Sequence, residues 1–357
     1  MRLVDLDFVR EGEILGKPIY SSEGKILLGE GIVLTEEYLN RLGEMEISSV
    51  YISDDRFANV EIKDVINPLN RIEAIKVTRE AIEQIKTGKN IVPAKMNKAV
   101  NNIVDDLLGS ENILVNMVDI KSLNDYTFNH SVNVAVLSII MGISLGYDQV
   151  QLRNLGVGAL LHDIGKIKVA EEILHKKDSL TPEEFEEVKK HCEYGLDIIR
   201  ENRELSILSA HIAYQHHERY DGSGYPRGLK GEEITEFARI VSIAHVYDAL
   251  MSDRPYRKRV LPHQAWEYIM TYTHTHFDGK IVPHFLKQVA PYPNGSIVQL
   301  NTKEKAVVVS QNIDCLLRPI VQVFEYQGKP ASRPFHYDLV INPTVLIEEV
   351  APRLKAE

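Results

Sequence analysis

Residues 111 to about 290, roughly half of the 357-residue chain, form a succession of helical segments with little of the polar–apolar alternation that strands show. Short strand-like runs broken by turn residues stand before this segment, as in GKILL and SSVYI, and after it, as in KAVVVS and YDLVI. In the first of these regions TEEYLNRL predicts one short helix with Thr35 as its N-cap. This order favours a mainly α fold with β structure at both ends.

The same pattern divides the chain into four segments. We expect a small β-rich N-terminal domain at 1–60, an all-α domain at 111–290 and a β-rich C-terminal extension at 291–357. Apolar residues recur every three or four positions in NRIEAIKVTREAIEQIK and MNKAVNNIVDDLL, which predicts a helical connector at 61–110. Connector helices of this kind could pair between subunits, so a homo-oligomer is one expectation.

Six histidines and one aspartate lie inside the all-α segment, between apolar helical runs. They are His130, the dipeptide His162-Asp163, His191, the pair His216-His217, and His245. A helical fold has no need for spaced imidazoles, so this density of ligands for first-row metals indicates a polynuclear metal site that performs hydrolysis. A carboxylate can bridge two ions ~3.5–4 Å apart, which makes Asp163 the candidate bridge. A lone histidine is more often a core residue, so the prediction depends on all of these side chains converging.

The stretch HHERYDGSGYPRGL is the second informative motif. Adjacent residues on a regular helix point ~100° apart, so two neighbouring imidazoles reach one metal most easily where a helix ends. Gly222, Gly224 and Pro226 supply such an ending. A glycine-rich turn with exposed imidazoles is the alternative at this point.

Composition narrows the classes of partner. With 41 Lys and Arg against 51 Asp and Glu, the net charge of −10 argues against a nucleic-acid polymer as the main partner, since such binding neutralises phosphates. Two cysteines, Cys192 and Cys315, allow neither a disulfide framework nor a cysteine-based zinc site, and they predict a reducing cytoplasm. The longest apolar stretch, 132–145, is shorter than the ~20 residues of a spanning helix, so we expect no membrane span.

Several motifs in order resemble the HD-GYP family of bacterial phosphodiesterases, a branch of the HD metal-dependent phosphohydrolases. They are YTFNHSVNV, HDIGK, the isolated His191 with Gly195, HHERYDGSGYP and AHVYDALMSDRPYRKR. The resemblance covers residues 111–290. It implies an HD-type helical bundle as the catalytic domain, and hydrolysis of cyclic di-GMP to pGpG or GMP in a cytoplasmic signalling pathway, with signalling proteins as further partners.

The resemblance also implies roles for individual residues. One divalent metal ion would be bound by His130, His162, Asp163 and His245, and a second by Asp163, His191, His216 and His217; iron or manganese is the expected metal. Lys166 would lie beside the scissile phosphate. Substrate binding would further involve Tyr225 of the GYP loop and two arginines, Arg254 and Arg257, whose planar forks suit phosphates.

The chain departs from the family pattern at two positions. His245 stands where the pattern has an aspartate ligand, while Asp248 matches the second aspartate of that motif. Asp163 would then be the only carboxylate for two divalent cations, which should weaken metal retention. Two alternatives therefore stay open: a weak or inactive module that binds cyclic di-GMP or a protein, and a phosphohydrolase for another cyclic nucleotide. Tyr126 stands where some members have a glutamate, so we expect two metals and not three.

Overall fold

A computed structural model provides the three-dimensional structure of the chain. The structure describes residues 1–350 except positions 22, 23, 46, 48, 59, 61, 111–125, 175, 177 and 253–258. Within these residues the protein is mainly α, with small β-sheets near both ends, as the sequence predicts. None of the described helices is both long and apolar enough to cross a membrane.

The N-terminal region contains five short strands and one helix: β1 (Arg2–Asp5), β2 (Ile14–Leu15), β3 (Ile19–Tyr20), β4 (Ile26–Leu28), α1 (Glu36–Glu44) and β5 (Ser49–Ser53). β1, β5 and β2 form an antiparallel sheet in that order, and β3 pairs with β4. The Thr35 hydroxyl accepts a hydrogen bond from the Tyr38 N–H and caps α1, as expected. Leu15, Ile19 and Leu42 are fully enclosed in the small core of this region.

Two long helices follow, α2 (Pro68–Lys86) and α3 (Pro93–Leu108). Both begin with a proline, whose missing N–H costs nothing in the first helical turn. Ile75 of α2 and Met96 and Ile103 of α3 are buried in the same hydrophobic cluster as the central helices. The two helices predicted as a connector therefore pack against the central helices.

The described part of the central bundle contains nine further helices, and α4, α5, α9 and α10 pack against one another at its centre. Their bounds are α4 (Tyr126–Ser144), α5 (Gln149–Leu160), α6 (Glu171–Leu174), α7 (Pro182–Lys189), α8 (His191–Glu201), α9 (Ile207–Gln215), α10 (Glu236–Met251), α11 (Pro262–Thr271) and α12 (Val282–Leu286). α5 and α9 approach closely because Gly158 has no side chain: a Cβ there would lie 2.4 Å from Ile212 Cδ1.

The C-terminal region is a five-stranded antiparallel sheet in the order β10-β6-β7-β8-β9. Its strands are β6 (Ile297–Leu300), β7 (Glu304–Ser310), β8 (Ile320–Tyr326), β9 (Lys329–Asp338) and β10 (Ile347–Val350). One face packs against the N-terminal region, where Tyr51 and Phe57 share a buried cluster with Ile297, Val307 and Phe324. The Phe57 and Phe324 ring centroids are 5.2 Å apart, edge to face. The two β-rich ends of the chain therefore lie together.

Candidate metal centre

The dipeptide His162-Asp163 lies in the turn that follows α5, and both side chains are buried. A short 3₁₀ turn, Ile164–Lys168, comes next. A Cβ at Gly165 would lie 1.9 Å from the carbonyl oxygen of His191, so only glycine lets this turn touch the start of α8. That approach brings the His191 Nε2 to 3.5 Å from the Asp163 Oδ1.

The pair His216-His217 lies at the end of α9, with His216 as the residue that closes the helix. The His216 Nε2 is 3.4 Å from the His191 Nε2 and 3.7 Å from the Asp163 Oδ1. His217 joins them, and one ligand atom from each of these four residues lies within 4.8 Å of the others. We call His191, His216 and His217 the second histidine group.

His130 on α4, His162 and His245 on α10 form the first histidine group. The His245 Nδ1 lies 3.1 Å from the His130 Nε2 and 3.2 Å from the His162 Nε2. The His162 Nε2 is also 3.3 Å from the Asp163 Oδ2. Asp163 therefore presents one carboxylate oxygen to each group, and the structure brings together all seven residues that the sequence predicts as metal ligands.

The protonation of the rings follows from their outer partners. The Nδ1 atoms of His162, His191 and His216 lie 2.7, 2.6 and 3.0 Å from the carbonyl oxygens of Ala159, Val188 and Ala213, to which they donate. Burial lowers the pKa of His191 to about 4 and that of His216 to about 3, so both rings are neutral at pH 7. Their Nε2 atoms then carry lone pairs, which point toward the same small volume.

The shared carboxylate is charged and lacks a full set of partners. Burial opposes ionisation of Asp163, but positive charge, first that of Lys166, outweighs it and keeps the pKa of the carboxyl well below its usual value. The Lys166 Nζ donates to the Asp163 Oδ2 at 2.6 Å. The buried Asp163 Oδ1 has no hydrogen-bond donor among the described residues. An anionic oxygen and several imidazole lone pairs thus face one another with no proton between them. Such a set of atoms suits a divalent cation that takes nitrogen and oxygen ligands.

The GYP loop folds over the second histidine group. The Tyr225 ring stacks on His217 with centroids 4.6 Å apart and an interplanar angle of 20°, and the Tyr225 N–H donates to the His217 carbonyl at 3.2 Å. A Cβ at Gly224 would lie 2.3 Å from the backbone nitrogen of Arg219, so the loop requires glycine there. The buried Glu218 carboxylate accepts from the backbone N–H groups of Arg227 and Leu229, which fixes the segment that follows the GYP residues. The family resemblance implies a substrate-binding role for Tyr225, and the structure places its ring against His217.

A cavity of about 320 Å³ opens beside this loop. Histidines from both groups line it, namely His216, His217 and His245, together with aromatic residues and two cations. A cavity of this size that contains a few polar groups is typical of a small-molecule site. Arg254 and Arg257, which the sequence places at the substrate, lie outside the described residues, as does the side chain of Tyr126.

Comparison with known proteins agrees with this geometry. Residues 114–281 match the family model described as HD domain. The chain contains an HD domain. It is 37% identical over 239 residues to the cyclic di-GMP phosphodiesterase PA4108 of Pseudomonas aeruginosa, covering 67% of this chain and 58% of that protein. It is 33% identical over 190 residues to the 3'3'-cGAMP-specific phosphodiesterase 2 of Vibrio cholerae, covering 53% of this chain and 36% of that protein. The resemblance to the HD-GYP branch is confirmed.

The chain thus spans little more than half the length of the first of these relatives and about a third of the second. Among solved structures, a protein named Bd1817, an HDG"Y"P protein from Bdellovibrio bacteriovorus, aligns with a TM-score of 0.49 and 20% identity. That alignment covers 80% of this chain and 97% of that chain.

The HD domain also contains a buried carboxylate that sequence reasoning did not place in the site. The Asp248 Oδ2 accepts from the His130 Nδ1 at 2.6 Å, and its Oδ1 accepts from the Asn133 amide at 2.8 Å. The Asn133 Oδ1 in turn accepts from Arg71 of α2 at 2.6 Å. Asp248 therefore supplies negative charge to the first histidine group through an imidazole. Asn133 follows His130 by three residues, and Asp248 follows His245 by three residues, which is about one helical turn in each case. This spacing is the sequence signal that could have placed Asp248 in the site.

Proposed function

We propose that the protein is a metal-dependent phosphodiesterase that hydrolyses cyclic di-GMP to pGpG or GMP, as part of second-messenger signalling in the cytoplasm. The observation that carries the proposal is the position of Asp163, whose two oxygens face two separate histidine groups. Such an arrangement suits two metal ions on one bridging carboxylate. The similarity to a protein named as a cyclic di-GMP phosphodiesterase supports the choice of substrate.

The residues present would bind two divalent ions. His130, His162, His245 and the Asp163 Oδ2 would hold one, and the Asp163 Oδ1 with His191, His216 and His217 would hold the other. A set rich in imidazole favours iron over magnesium or calcium, which prefer oxygen ligands. Manganese is the other metal that the family resemblance implies. Two such ions supply positive charge at the phosphoryl oxygens and a bound water that ionises near neutral pH.

The chain's own groups prepare this chemistry in three ways. The backbone carbonyls of Val188 and Ala213 fix the rings of His191 and His216, so their free nitrogens are oriented before any ligand arrives. Lys166, one-third exposed, keeps the Asp163 carboxyl ionised, and its remaining N–H groups can meet a phosphoryl oxygen. The Tyr225 ring covers one face of His217 and keeps water from it.

Turnover and metal content together test the proposal. Protein prepared anaerobically should contain two metals per chain and should convert cyclic di-GMP to pGpG or GMP in the presence of Mn(II) or Fe(II). Two bound metals without product would contradict a phosphodiesterase for this substrate. That outcome would favour the inactive binding module suggested by His245, which replaces a charged ligand with a neutral one.

A second candidate substrate is 3'3'-cGAMP, because a relative carries that specificity in its name. Initial rates on cyclic di-GMP and 3'3'-cGAMP, measured under the same metal conditions, decide between the two. A higher kcat/KM for cyclic di-GMP is the expected result. The reverse order would replace the substrate while leaving the reaction class in place.

A further inference from the structure

The cavity beside the GYP loop contains, apart from the metal-binding histidines, two sets of side chains with different chemistry. Lys189 and Arg219 are cationic, whereas Tyr268, His276 and the buried Phe277 are aromatic. Metal ligands and cations suffice to bind and cleave a phosphodiester. The aromatic side chains therefore need a separate explanation.

These aromatic residues belong to a row that runs off the end of α11. The ring centroids of Tyr268 and Tyr272 are 4.4 Å apart, and those of Tyr272 and His276 are 4.3 Å apart with an interplanar angle of 12°. Tyr268 and Tyr272 are four residues apart at the end of α11, which brings their rings together. Just past the helix, the His276 N–H donates to the Tyr272 carbonyl at 3.0 Å and places the third ring next to them. Tyr268 and His276 line the cavity, and Tyr272 supports both from the side.

The row is fixed to the segment that carries the metal ligands. The Tyr220 N–H donates to the His276 carbonyl at 3.1 Å, and the Asp221 N–H donates to the Thr275 carbonyl at 2.7 Å. Tyr220 and Asp221 follow His216-His217 within five residues. The rings therefore have a set position relative to the second histidine group, as a substrate-binding surface requires.

The electrostatics of the row suit a neutral, flat ligand next to an anion. Burial and the positive charge of Arg219 lower the pKa of His276, so its ring is uncharged at pH 7. Arg219 is exposed and makes no ion pair with a carboxylate in the part of the chain that the structure describes. The adjacent Glu218 is already engaged by two backbone N–H groups and does not neutralise it. Neutral rings beside a cation match a nucleobase beside its own phosphate.

We propose that the Tyr268 ring stacks on one purine base of the substrate, and that Arg219 binds the phosphate of the same nucleotide. The His276 ring is inclined at 52° to Tyr268, with centroids 6.4 Å apart, and would contact the edge of the same base. The inference rests on the proposed phosphodiesterase function and deepens it. It predicts a site that selects nucleotides with a flat purine over simple phosphodiesters. A purely structural row of rings, packed to close α11 onto the bundle, would make no such selection.

Two ligands separate these roles: cyclic di-GMP, and inorganic phosphate, which has no ring that could stack. In Tyr268→Ala we expect the KM for cyclic di-GMP to rise about tenfold, the typical effect of losing one stacked base. Tyr268→Phe should restore it, since the ring is kept. The Ki of inorganic phosphate as a competitive inhibitor should stay within about twofold of wild type in both variants. Met270→Ala is the matched control, because Met270 is exposed on the same helix and does not line the cavity.

A binding measurement keeps the test independent of turnover. Calorimetric titration of metal-loaded protein with cyclic di-GMP should show the same tenfold weakening in Tyr268→Ala and in His276→Ala, even if wild type proves inactive. A parallel loss of affinity for inorganic phosphate would assign the row a structural role and overturn the proposal. Wild-type affinity in both alanine variants, or no binding of cyclic di-GMP by wild type, would overturn it as well.

Discussion

The two histidine groups that meet at Asp163 are held in place by different means. In the second group, His191 donates to the Val188 carbonyl at the end of α7, and His216 donates to the Ala213 carbonyl of α9, each three residues earlier in the chain. In the first group, His162 has the same kind of anchor, the Ala159 carbonyl. The difference is at His130, which donates to the side chain of Asp248, and Asp248 depends in turn on Asn133 and Arg71. A backbone carbonyl is present whatever the side chains are, whereas a series of hydrogen-bonded side chains can be broken by one substitution.

The second group should therefore be less sensitive to single substitutions, and the first group can be altered through the side-chain partners of His130. Asp163 Oδ1 faces two rings of the second group directly. The first group has a second carboxylate nearby, that of Asp248, which acts on the group indirectly through its hydrogen bond with His130. The chain that ends at Arg71 also reaches α2, so the first group is the one coupled to the helices next to the N-terminal region.

Asp163→Ala should have the largest effect, because it removes the one carboxylate that faces both groups. We expect loss of both metals and of all turnover, measured by metal analysis and by cyclic di-GMP hydrolysis. Asp221→Ala is a suitable control, since Asp221 is an exposed acidic residue of the neighbouring loop. Full metal occupancy in Asp163→Ala would refute the bridging role.

Asp248→Asn should separate the two groups. The amide lacks the charge that orients and polarises His130, so metal affinity at the first group should fall by about 10- to 100-fold, with little change at the second. Stepwise titration with Mn(II), followed by calorimetry, would resolve the two sites. Glu236→Gln on the same helix is the control, because Glu236 contacts Tyr147 and no site histidine. Equal losses at both sites would show that the groups are not separately anchored.

His245→Asp adds a charge directly to the first group. We expect metal affinity there to rise on the order of tenfold, since the attraction of a carboxylate for a cation is partly offset by its own desolvation. Metal retention during gel filtration and the rate of cyclic di-GMP hydrolysis both report the change. If neither improves, the imidazole together with Asp248 already meets the need for charge.

Tyr225→Ala should give the smallest effect and should affect only the second group. An aromatic pair contributes about 0.5–1.5 kcal/mol beyond burial, so its loss should weaken metal binding at that group by roughly tenfold or less. Tyr225→Phe keeps the ring on His217 and should bind metal like wild type. Weakening of equal size in the phenylalanine variant would assign the role to the hydroxyl instead.

Much of the fold could be predicted from local patterns. The helical periodicity of residues 126–286 and the strand-like runs at the ends correspond to observed elements, and Thr35 caps α1 as expected. The contact between the two β-rich ends could not be predicted, because Phe57 and Phe324 look like ordinary core residues until the chain returns. Long-range packing of this kind leaves no periodic signal in a single sequence.

The candidate metal ligands could also be selected from the sequence, since histidine and aspartate are recognisable there as possible ligands. The anchoring residues were not, because Asp248 and Asn133 acquire their roles only where α10 crosses α4. The role of Gly165 also depends on tertiary contacts. Its small size matters only because α8 begins next to it, where a Cβ would lie 1.9 Å from the His191 carbonyl oxygen.

The electron paramagnetic resonance spectrum of protein loaded with two equivalents of Mn(II) tests the shared carboxylate most directly. Two ions bridged by Asp163 should give the broad, temperature-dependent spectrum of an exchange-coupled pair. Two independent six-line Mn(II) signals, adding to full occupancy, would contradict the arrangement on which the proposed function depends.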